Sequence, residues 1–87
     1  MVYGIIMVKI VPGTERRIHR ALSDLVGMGK IYLLFGDFDF LLNVQVDGLL
    51  TLNGLVERIR GTEGVVTTRT ILAQAAEESG PMGMEAC

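Results

Sequence analysis

Four consecutive residues near the middle of the chain, Gly36-Asp37-Phe38-Asp39, have the side-chain types of a small polar ligand site. A glycine lets a ligand approach the backbone closely, so that neighbouring N–H groups can hold a carboxylate, and an aspartate can pair with an ammonium group. Two other interpretations stay open: a turn with two solvated acids, or a weak metal site that lacks a third carboxylate or a histidine.

A second polar stretch, Thr67-Thr68-Arg69-Thr70, offers hydroxyl donors in a row, although threonine is also simply typical of an edge strand. His19 has no recognisable acid or nucleophile beside it, and Cys87 is a lone terminal thiol. The sequence contains no pattern typical of a catalytic triad, a zinc cluster, a phosphate loop or a dinucleotide-binding turn. It therefore predicts no catalytic residue and no cofactor, and it favours a metal-free site over the weak metal site.

Hydrophobic periodicity predicts six elements that position these residues. The four predicted strands are Val2–Val11, Lys30–Phe35, Phe38–Val46 and Val65–Ala73. The first predicted helix carries a stripe of Ile18, Ala21, Leu22, Leu25 and Val26 and ends at Gly27, and the second carries Leu52, Leu55, Val56 and Ile59 and ends near Gly61. The order βαββαβ predicts a ferredoxin-like α+β fold of the dimeric α+β barrel type, a four-stranded antiparallel sheet with two helices on one face.

Composition limits the function classes. The chain has 87 residues, a net charge of −2 and no basic block, which argues against direct nucleic-acid binding. No apolar run approaches the ~20 residues that span a bilayer. The single cysteine cannot form an internal disulfide, as is usual in the cytoplasm. We expect one domain at residues 1–74 and a flexible tail at 75–87.

The sheet face opposite the predicted helices has too many apolar residues to face water. Its candidates are Tyr3, Ile5, Met7, Leu41 and, depending on the register of the second strand, either Tyr32 and Leu34 or Ile31, Leu33 and Phe35. Since 49% of this short chain is hydrophobic, packing of the face against a second copy, sheet on sheet, is the economical solution. The alternative is an extra helix or domain over the sheet.

Three segments together resemble a known family. They are VYGIIMVKIVPGTERRIHRAL, IYLLFGDFDFLLNVQV and LNGLVERIRGTEGVVTTRTIL, with a Pro-Gly after the first strand, a glycine–aromatic–aspartate turn and a Thr-x-Thr strand near the end. In this order they are similar to the effector domain of Lrp/AsnC transcription regulators, also called the RAM domain. The resemblance is to a stand-alone form that lacks the helix-turn-helix.

The resemblance implies a homo-oligomer that dimerises through its sheets and builds octamers or similar rings, with an amino acid bound between dimers. The residues implied in binding are Gly36, Asp37, Phe38, Asp39, Thr68 and Thr70. A full-length Lrp/AsnC regulator is the implied partner, and regulation of transcription or amino-acid metabolism the implied role. Two rival interpretations stay open: a structural assembly module without a ligand, and a small dimeric α+β-barrel enzyme.

Overall fold

The computed structural model describes residues 2–73, which form six elements in the order predicted from the sequence. They are β1 (Val2–Ile10), α1 (Glu15–Ser23), β2 (Met28–Leu33), β3 (Phe40–Val46), α2 (Leu49–Arg60) and β4 (Val65–Ala73). The predicted ferredoxin-like α+β class is confirmed. The predicted tail at 75–87, with Cys87, lies outside the described residues.

The sheet has the strand order β2-β3-β1-β4, and every neighbouring pair is antiparallel. β1 lies in the interior, which explains why its residues are apolar on both faces. Met7, for example, lies opposite Leu41 on one side and Arg69 on the other. The two edge strands are β2 and β4, so the threonine-rich segment does occupy an edge.

One face of the sheet and both helices form the hydrophobic core. Alternate residues of β1 and β3 point to the helices, and the predicted apolar face of β3 is confirmed from Phe40 onward. The buried side chains are Ile6, Val8, Ile10, Ile18, Leu22, Phe40, Leu42, Val44, Val46, Leu52, Leu55 and Ile59. This core holds the sheet rigidly, and the strand ends and connections that carry the candidate site depend on it.

The first helix is shorter than predicted. It ends at Ser23, and of the predicted stripe Ile18, Leu22 and Leu25 pack in or against the core. Ala21 and Val26 are exposed, Val26 to 93%, so the prediction is wrong for these two. The N–H of Leu25 donates to the carbonyl oxygen of Leu22, and Gly27 has a φ of +93°. A tight turn therefore replaces the last helical turn, because a residue in the left-handed region redirects the chain into β2.

The β2–β3 connection is longer than predicted. β2 ends at Leu33 instead of Phe35, which is 92% exposed, and β3 begins at Phe40 instead of Phe38. Both predicted strand ends are therefore wrong, because apolar residue type alone extended the strands into the connection.

The face of the sheet away from the helices is covered by no element within residues 2–73, and we call it the uncovered face. Its side chains are Tyr3, Ile5, Met7, Lys9, Lys30, Tyr32, Leu41, Asn43, Gln45, Thr67, Arg69 and Ile71, as the strand registers place them. Tyr32 pairs with Leu41, which decides the alternative left open for β2. Within the described residues, neither helix has the length and apolar character to cross a membrane.

Candidate functional site

The candidate site is built on the connection of residues 34–39 between β2 and β3. The N–H of Leu34 donates to the carbonyl oxygen of Asp39 at 2.8 Å, and the N–H of Asp39 donates to the carbonyl oxygen of Val8 at 2.8 Å. These two bonds close the loop and fasten it to β1. Gly36 stands at the loop tip with a φ of +155°, a conformation that side-chain-bearing residues rarely adopt.

Asp39 supports the loop through its side chain as well. One carboxylate oxygen accepts a hydrogen bond of 2.8 Å from the backbone N–H of Ile10, at the register shift between Lys9 and Ile10. Ile10 is almost fully buried, so this N–H needs a partner inside the protein. Asp39 therefore ties β1 to the β2–β3 connection, a role that sequence reasoning did not foresee.

Phe38 turns toward the uncovered face. Its ring centroid lies 5.9 Å from Cζ of Arg69, which belongs to β4 on that face. Because β1 separates β3 from β4, the two side chains meet across β1. The ring and guanidinium form a cation–π contact that holds both groups at one corner of the sheet.

Lys9 completes this corner. Its ammonium group donates to the carbonyl oxygen of Asp37 at 3.2 Å. Lys9 lies opposite Thr67, and the neighbouring pair on the same face is Met7 with Arg69, so the two cations are diagonal neighbours. Sequence reasoning missed both, although a basic residue inside a strand of β-branched residues was a usable signal.

Thr68 and Thr70 lie on the opposite side of the sheet. They pair with Val8 and Ile6, whose side chains are buried against the helices. Directly opposed residues of an antiparallel pair point to the same face, so both threonines face the helix side. Within one chain they therefore do not meet Phe38, and a pocket that contains all three needs a second copy of the chain.

The remaining candidate groups do not form a catalytic arrangement. The His19 ring is exposed and lies 6.2 Å, centroid to centroid, from the ring of Phe40. Within the described residues, no three His, Cys, Asp or Glu side chains are grouped closely enough to hold a metal ion.

The family is identified by comparison with known proteins. The model of the Lrp/AsnC ligand-binding domain matches residues 4–80. The chain belongs to the Lrp/AsnC family. The match covers β1 from Gly4 onward, the other three strands, both helices and the 34–39 connection of this Lrp/AsnC domain.

Individual relatives of the Lrp/AsnC domain differ in what surrounds it. The crystal structure of FFRP-DM1 has a TM-score of 0.80 and 27% identity, and the match covers 85% of this chain and 100% of that one. A Neisseria meningitidis transcriptional regulator in complex with L-Met shares the fold at a TM-score of 0.75 and 16% identity, over 90% of this chain and 53% of its own.

Homocitrate synthases of Saccharolobus islandicus and Saccharolobus solfataricus are 40% identical over 53 residues, which is 61% of this chain. The matched segment spans 12% of the length of these curated relatives.

Proposed function

We propose that this Lrp/AsnC domain is a regulatory module of the cytoplasm that binds an amino acid and self-associates through its uncovered face. The observation that carries the proposal is the position of the 34–39 connection, whose Phe38 folds over one corner of that face. Gly36 and the exposed Asp37 then lie where a covered sheet leaves a crevice at its margin. The description of the matching family as a ligand-binding domain supports the same function.

Self-association follows from the chemistry of the uncovered face. Tyr3 and Tyr32 are 43% and 45% exposed there, and Ile5, Met7 and Leu41 are half-buried without any covering element within residues 2–73. Two such sheets pack about 10 Å apart and remove these side chains from water. A second copy presents the same apolar surface, so the primary assembly is a symmetric dimer, and dimers join into octamers or similar rings.

The amino acid binds beside the loop tip. Backbone N–H groups near Gly36 are accessible to a ligand because a Cβ at this position would meet nothing within 4 Å. The Asp37 carboxylate holds the ammonium group of the ligand, and Asp39 adds negative charge while it anchors the loop. Thr68 and Thr70 contribute from a neighbouring copy. The regulator bound to L-Met supports an amino acid as the ligand class.

Regulation follows if the ligand binds one assembly better than another, because differential affinity is what shifts an equilibrium between states. The two helices of residues 2–73 both serve as crossovers of the sheet, so DNA contact is assigned to a partner, a full-length Lrp/AsnC regulator. A biosynthetic enzyme is a second kind of protein that this domain regulates in our proposal, and the match to a segment of the homocitrate synthases favours it.

A thermal-shift screen of the proteinogenic L-amino acids, combined with light scattering, tests the proposal. We expect at least one amino acid to raise the melting temperature and to change the mass of the assembly. The Asp37→Ala variant keeps the fold and loses this response, whereas the Asp24→Ala variant, an exposed acid beyond α1, keeps it. Absence of stabilisation by every amino acid, with an unchanged mass, favours a structural assembly module instead.

A further inference from the structure

The uncovered face carries two positive charges at one corner and no matching negative charge. Lys9 and Arg69 are diagonal neighbours on β1 and β4, a relation that places Cα atoms about 7–8 Å apart. Apart from Lys30 at the β2 edge, the rest of the face consists of apolar, hydroxyl and amide side chains. Because β3 and β1 separate Lys30 from β4, this corner is the part of the surface within residues 2–73 where two charged side chains lie side by side.

The two acids of the adjoining 34–39 connection form no ion pair with these cations. Asp39 directs a carboxylate oxygen to the backbone N–H of Ile10, and Asp37 meets Lys9 through its carbonyl oxygen. The guanidinium of Arg69 lies over the ring of Phe38, which orients it without neutralising it. Neither cation forms an ion pair with a residue of the described chain.

We propose that Lys9 and Arg69 together form the carboxylate-binding subsite of the amino-acid ligand, with Phe38 as the group that positions Arg69. This inference rests on the proposed function, because it deepens the same site. A guanidinium presents parallel N–H donors to a carboxylate, and a lysine ammonium adds a point charge from the other side. The carboxylate of Asp37, whose backbone carbonyl oxygen contacts Lys9, then receives the ammonium end of the same ligand.

The subsite also links binding to assembly. When a second copy covers this face, both cations lose water, and an unpaired charge in such a position opposes association. A bound carboxylate supplies the missing negative charge. The ligand therefore strengthens the sheet-to-sheet contact, and an analogue without a free carboxylate, such as an amino-acid amide, does not.

The first experiment needs no ligand. The dissociation constant of self-association is measured by analytical ultracentrifugation at fixed ionic strength for Lys9→Gln and Arg69→Gln. The matched controls are Arg20→Gln on α1 and Arg60→Gln at the end of α2, both away from the uncovered face. We expect each test variant to associate about tenfold more tightly than wild type, because an uncompensated charge is removed, with the controls within about twofold. Unchanged or weaker association means that the partner copy already neutralises the pair, and it overturns the subsite.

The second experiment uses thermal shift with each proteinogenic L-amino acid, its carboxamide and inorganic phosphate. We expect a stabilising free acid whose carboxamide has no effect and whose apparent affinity falls at least about tenfold in Lys9→Gln and Arg69→Gln. The subsite is overturned if the carboxamide binds as well as the free acid, if the variants bind as well as wild type, or if only phosphate stabilises the protein. The proposed function still holds in any of these cases in which an amino acid binds. A monomeric wild type that binds none of these compounds overturns both.

Discussion

Removal of the Asp39 carboxylate tests the loop anchor most directly. Asp39→Ala leaves the N–H of Ile10 without its acceptor, in a residue that is only 3% exposed, after loss of a 2.8 Å hydrogen bond. An unsatisfied buried donor costs about 1–3 kcal/mol, and we expect a loss of about 2 kcal/mol in the free energy of unfolding. For a domain of this size, that corresponds to a fall of about 8–16 °C in melting temperature.

Urea unfolding, followed by circular dichroism at a protein concentration where all variants have the same mass, measures this loss. Asp37→Ala is the matched control, because its carboxylate is exposed and we expect a change within about 0.5 kcal/mol. Asp39→Asn keeps an acceptor oxygen without the charge and falls between wild type and Asp39→Ala. Equal stability of the two alanine variants would refute the assignment of Asp39 as the anchor between β1 and the loop.

Two further predictions concern the backbone and the uncovered face. Gly64→Ala lowers the free energy of unfolding by about 2 kcal/mol or more, since φ is +103° and the added Cβ would lie 2.8 Å from Cδ1 of Ile18. Gly54→Ala, in open space on α2, raises the free energy of unfolding by about 1 kcal/mol. Calorimetry that finds equal stability for the two variants contradicts this prediction. Ile5→Lys, on the uncovered face, weakens self-association at least about a hundredfold, as measured by ultracentrifugation. The control Asn53→Lys on α2 leaves self-association unchanged. An Ile5→Lys variant with wild-type affinity rules out the uncovered face as the interface.

The 34–39 connection has two separate tasks in this account, which are to anchor itself to β1 and to bind the ligand. Asp39 binds backbone of its own chain and determines where the loop stands. Asp37 and Gly36 are exposed, and in the proposed function they are the groups that meet the ligand. A variant that unfolds and a variant that fails to bind can therefore be told apart, because the two tasks belong to different residues of the same turn.

The order of elements and the existence of an apolar second sheet face could be predicted from the chain alone. Period-2 alternation in β3 and the helical spacing of Leu52, Leu55 and Ile59 in α2 are local patterns, and local patterns survive folding. Boundaries were less accurate. α1 lost its last predicted turn and the β2–β3 connection grew, because Val26 and Phe35 are apolar residues that the structure leaves exposed.

The sequence by itself determined the fold class and the helix-covered core face, and it predicts a ligand at the turn Gly36-Asp37-Phe38-Asp39. Only the tertiary structure decided which groups meet there: Phe38 with Arg69, Lys9 with the Asp37 carbonyl, and Asp39 with Ile10 instead of a ligand. The physical reason is strand register. A shift of one residue between strands moves every side chain to the other face, and pairing between β1 and β4, far apart in the chain, cannot be deduced from either segment alone.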